Sequence, residues 1–134
     1  MSGVKEMLSA RNMATIFSIA FIGSGFIGFV PNPLVSPEGI FAVNEWHNLV
    51  HLLTGCFFGF GALKGEHVSV RIIRTVALFY IMVTILGFIS TGDMLLGFIH
   101  VNQADKWLHF SLALIITFAG FGVLRSSKCS AVTS

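Results

Sequence analysis

The sequence predicts an all-α membrane protein: a four-helix transmembrane bundle built from two pseudo-symmetric helical hairpins. Three observations carry that expectation. Hydrophobic residues make up 54% of the chain and charged residues 10%, with a mean hydropathy of +0.85, whereas a soluble domain carries about 25% charged residues. The apolar residues gather into four long runs separated by polar connections. The third observation is that two of those connections, with the helix starts that follow them, repeat one another.

The first run, Met13–Val30, follows a segment too polar for a signal h-region, and no A-x-A site comes after it. It is expected to be a retained signal anchor. The other runs are Trp46–Leu63, about Thr75–Ile89, and Trp107–Leu124. Runs of ~15–18 residues make ~23–27 Å of helix, the short end for a hydrocarbon core of about 30 Å. Lipid offers the backbone no hydrogen-bond partner, so each span is expected to be helical. Pro31, Pro33 and Pro37 all fall in the first connection, where no helical hydrogen bond is lost.

Basic residues set the expected orientation. Lys5, Arg11, Lys64, Arg71, Arg74, Arg125 and Lys128 lie on one side and only Lys106 on the other. Both termini and the middle loop are therefore expected to be cytoplasmic, with the 30–45 and 90–106 connections outside. Trp46 and Trp107 then sit at the outer interface, where amphipathic rings are favoured.

Within one membrane domain, residues 1–134, a repeat over about 12–66 matches one over about 70–125. "GIFAVNEWHNLVHLLTG" (39–55) aligns without gaps on "GFIHVNQADKWLHFSLA" (97–113), pairing Asn44 with Asn102 and His51 with His109. Each unit has two spans, so the pseudo-twofold axis is expected to run along the membrane normal. In an up-down bundle, spans two and four then lie diagonally across the centre. Asn44 and Asn102 suit the two helix N-caps, and each deeper histidine falls about 10 Å below its cap.

One turn above the paired histidines stand His47 and Asp105, on the same helix faces. Three imidazoles and a carboxylate suit zinc, copper(II) or ferrous iron, with His47, His51 and His109 as nitrogen ligands and Asp105 as ligand or orienter. A b-type haem held by His51 and His109 is a second reading, since Gly55, Gly59, Ala113 and Thr117 below them are small. Small residues also pack helices with no cofactor at all. The cluster also reads as hydrogen-bonded glue between the repeats, or as a proton or pH switch. His100 stands near enough to join from outside, and His67 reads as solvated in the middle loop.

Other function classes find little support. No basic cluster with interleaved aromatics suggests nucleic acid, and no catalytic nucleophile is recognisable, which favours a non-enzymatic role. Cys56 and Cys129 show no metal-thiolate spacing and are not expected to pair. The remaining alternative is an accessory subunit that meets other membrane proteins, or a second copy, through its glycine faces.

The runs "GIFAVNEWHNLVHLLTG" and "VNQADKWLHF" make the chain, from about residue 13 to 124, resemble a group of small four-span bacterial membrane proteins catalogued as a domain of unknown function. Gly39, Asn44, His47, Asn48, His51, Gly55, Asn102, Asp105 and His109 carry the likeness. It implies four transmembrane helices in a bacterial inner membrane, and supplies no reaction, cofactor or partner.

Overall fold

The computed structural model describes residues 9–123, and within them the chain is mostly helical. In order, α1 (Ala10–Ile27), α2 (Glu45–Lys64), α3 (Glu66–Ile89) and α4 (Gln103–Thr117) follow one another, and α4 runs on as a π-helical turn, Phe118–Val123. Two-residue strands decorate the long connections. β1 (Val35–Ser36) pairs in parallel with β2 (Phe41–Ala42), and β3 (Met94–Leu95) pairs antiparallel with β4 (Ile99–His100). Lys5, Arg125, Lys128 and Cys129, used in the sequence argument, lie outside the described residues.

Three helices are long and apolar enough to cross a membrane: Ala10–Ile27, Glu66–Ile89 and Gln103–Val123. α2 is comparable in length, but His47, Asn48 and His51 interrupt its apolar run. The polar residues that make α2 interesting are thus the ones that weaken its hydropathy. Outward faces are strongly apolar, with Ile19, Leu53, Leu78 and Leu114 all exposed. So much contiguous apolar surface is foreign to a protein surrounded by water.

The main departure from expectation is α3. It begins nine residues before Thr75, leaving Gly65 alone between α2 and α3. Gly65 takes φ +104, a backbone conformation that favours glycine, so the chain reverses within one residue. Residues 66–74 form an amphipathic turn rather than a loop: Ser69, Ile72 and Ile73 are buried while Arg71 is exposed. Hydropathy runs locate membrane spans, and a helix that continues past the apolar part escapes them. His67 remains exposed, now on α3. Glu66 also reaches the start of α1, accepting from Ala10 N at 2.6 Å and Arg11 N at 3.0 Å, as an anion at a helix N-terminus should.

The core is built on close helix approach. Apolar transfer gives little advantage between lipid and protein interior, so packing must hold membrane helices together. Phe58, Ile73, Ile116 and Tyr80 are its largest fully buried side chains. α1 and α2 pack most extensively, and α4 leans mainly on α3. A Cβ at Gly55 would come within 2.8 Å of the Ile22 backbone nitrogen, and one at Gly25 within 3.0 Å of the Asn48 carbonyl. Gly28 likewise leaves room for the Asn48 side chain. Gly25, Gly28 and Gly55 thus serve the contact between α1 and α2, while Gly23 has nothing within 4 Å.

A candidate metal centre between two helix starts

Asn44 caps α2 by accepting from His47 N at 3.1 Å, and Asn102 caps α4 by accepting from Asp105 N at 3.0 Å. Each asparagine also crosses to the other connection. Asn44 Nδ2 donates to Phe98 O at 2.7 Å, and Asn102 Nδ2 donates to Ile40 O at 2.9 Å. Ile40 and Phe98 are partners in the sequence alignment of the repeats, so the crossing is reciprocal. Asn102→Ala is expected to lower stability by about 1–2 kcal/mol, because cap and cross-link go together. Denaturation in mild detergent checks this, and the Asn44→Ala/Asn102→Ala double variant should depart from additivity.

Beneath the caps the helices bring together His47, His51, Asp105 and His109. His47 and Asp105 are the third residues of their helices, His51 and His109 the seventh. All four are buried: 2% exposed for His47, 5% for His51 and His109, 1% for Asp105. One ligating nitrogen from each histidine lies within 4.8 Å of those from the other two.

Hydrogen bonding fixes two of the tautomers. His47 Nδ1 lies 2.6 Å from His100 O, and His109 Nδ1 lies 2.9 Å from Asp105 O. A carbonyl only accepts, so both Nδ1 atoms carry the proton. His51 Nδ1 meets Ser24 Oγ at 3.2 Å, and that hydroxyl also reaches Phe21 O at 3.0 Å. With that hydroxyl on Phe21 O, His51 Nδ1 donates to Ser24; with it turned to His51 Nδ1, His51 Nε2 carries the proton and donates to His47 Nε2. In the first arrangement the Nε2 atoms of His47 and His51 both keep a lone pair. Yet His47 Nε2 and His51 Nε2 stand only 3.2 Å apart. Two lone pairs at that distance repel unless a cation lies between or beside them.

Asp105 sits behind this point. Its carboxylate oxygens lie 3.4 Å from His47 Nδ1 and 3.5 Å from His109 Nδ1, on the protonated edges of both rings. Its Oδ2 is buried without a hydrogen bond, because the nearby N–H is directed to the His100 carbonyl. A buried carboxylate needs positive charge close by. Lys106, although buried, points its Nζ away to Gly92 O at 2.9 Å.

Aromatic rings close the sides. Tyr80 stacks on His109 with centroids 5.7 Å apart and planes 7° from parallel, and Phe21 meets His51 edge-on at 5.5 Å. His100 contributes its carbonyl to the site. Ser24, Tyr80 and Phe21 were not legible as site residues. The only hint was that Tyr80, the one tyrosine, lies inside an apolar run.

The family defined as a domain of unknown function (DUF4383) matches residues 11–122, and the chain belongs to it. No curated protein and no solved structure matches the chain.

Proposed function

We propose that this protein is a four-span membrane bundle of two pseudo-symmetric hairpins that holds one divalent transition-metal ion at His47, His51 and His109. The observation that carries this reading is the convergence of three buried imidazoles from two helices, one ligating nitrogen of each within 4.8 Å of the others, with the Nδ1–H groups of His47 and His109 directed to carbonyl oxygens. On a tetrahedral ion at ~2.0–2.1 Å, ligand nitrogens stand about 3.3–3.4 Å apart. The His47–His51 separation of 3.2 Å is close to that spacing, and a His109 nitrogen lies within 4.8 Å of both. Asp105 acts as orienter from the far edges of the rings and supplies balancing charge. Neutral nitrogen ligands suit zinc, copper(II) or ferrous iron.

A proton shared between His47 and His51 is the second reading, favoured by the same 3.2 Å contact. It uses only two of the three clustered imidazoles, which is why the metal is preferred. The reciprocal Asn44/Asn102 crossing supports the duplication, and the exposed apolar faces support lipid on all sides. Basic-residue placement favours cytoplasmic termini, with the metal near the outer face, and the family resemblance implies a bacterial inner membrane.

Metal analysis tests the proposal. Protein purified in detergent and reconstituted with zinc should retain about one equivalent after desalting, and under ~0.1 equivalent contradicts it. His100→Ala should retain the same equivalent, because only the backbone carbonyl of residue 100 bonds His47.

A further inference from the structure

We infer that the metal centre is a structural staple joining the two hairpins. The inference rests on the metal-binding reading and adds a role to it. α1 and α2 are held along their length by the glycine contacts, and α2 meets α3 where Gly61 packs against Ser69 and Ile72. α3 and α4 likewise pack as neighbours. α2 and α4 do not approach closely along their backbones, nor do α1 and α4. What joins α2 to α4 is concentrated at their outer ends: the crossed asparagines and the imidazole cluster.

Two of the nitrogens belong to α2 and one to α4, so an ion bound by all three ties one hairpin to the other. The 3.2 Å His47–His51 contact lies within α2, so it is the His109 nitrogen, within 4.8 Å on α4, that a shared ion would draw to the other helix. Enclosure argues for the same role. Three protein nitrogens leave a fourth position on a tetrahedral ion, so what separates a structural from a catalytic ion here is whether substrate can reach that position. Here every ligand is at least nine-tenths buried, and Tyr80 and Phe21 cover the flanks.

Spin-label distances in the full-length protein test the staple. One label goes on Cys56, exposed on α2, and a second on Ser111→Cys, exposed on α4, with Cys129→Ser throughout. A control pair joins Cys56 to Ile19→Cys, 68% exposed on α1. Metal content is measured on the same zinc-loaded and chelator-stripped samples. Stripping should lengthen or broaden the α2–α4 distribution by several ångströms and leave the α1–α2 pair unchanged, and thermal unfolding should fall by about 10–20 °C from saturating zinc. If zinc binds at one equivalent and the α2–α4 distances do not change on its removal, the staple is overturned while the metal site stands. Failure of zinc to bind overturns both.

Discussion

His51→Ala is expected to lower zinc affinity by a factor of several hundred. A closed structural zinc site contributes about 10–16 kcal/mol through its ligands together, so one imidazole carries roughly a quarter to a third, about 3–4 kcal/mol. At 1.4 kcal/mol per decade, that is a loss of some 10²–10³-fold. His51 is the ring whose Nε2 faces His47 most closely, and its Nδ1 is held by Ser24. Removing it therefore takes away a ligand and frees the serine. Competition with a chromophoric chelator measures the change. His109→Ala should show a loss of the same order, and unchanged affinity in both variants would place the metal elsewhere.

Gly55→Leu is expected to leave little folded protein. A Cβ there would lie 2.6 Å from Ile22 Cγ1, 2.8 Å from Ile22 N and 3.1 Å from Ser18 O. A side chain can turn aside, but the backbone atoms of α1 cannot, so the helix would have to move. Overpacking alone costs about 1–3 kcal/mol, and displacing a helix from its main partner adds to it. Two controls set the scale. At Gly59 the nearest atom is the Ser18 hydroxyl oxygen, at 2.9 Å, which can rotate away; at Gly23 nothing lies within 4 Å. Gly59→Ala should be mild and Gly23→Ala neutral, read from monodisperse yield and unfolding temperature.

The helices were legible in the sequence because lipid forces apolar runs into helical form, and Asn44 and Asn102 marked two starts. The start of α3 was not legible, since residues 66–74 alternate charged and apolar positions instead of forming a run. Strands of two residues, such as Val35–Ser36, leave no periodic signal at all. In the site, fourfold spacing put His47 above His51 and Asp105 above His109, and the sequence alignment of the two connections put the pairs in register, third and seventh in their helices. The role of Asp105 stayed open between ligand and orienter, because spacing gives a helix face but not which edge of a ring a carboxylate meets. Ser24 and Tyr80 enter from α1 and α3 through tertiary packing, which no local pattern encodes.

The central claim is that three imidazoles of this chain share one metal ion. X-ray absorption at the zinc edge of the loaded protein reads it most directly. The account predicts about three nitrogen scatterers at ~2.0–2.1 Å with imidazole outer-shell scattering, lost when His47, His51 and His109 are all replaced by alanine. An oxygen-only shell, or a spectrum unchanged by that triple substitution, would contradict it.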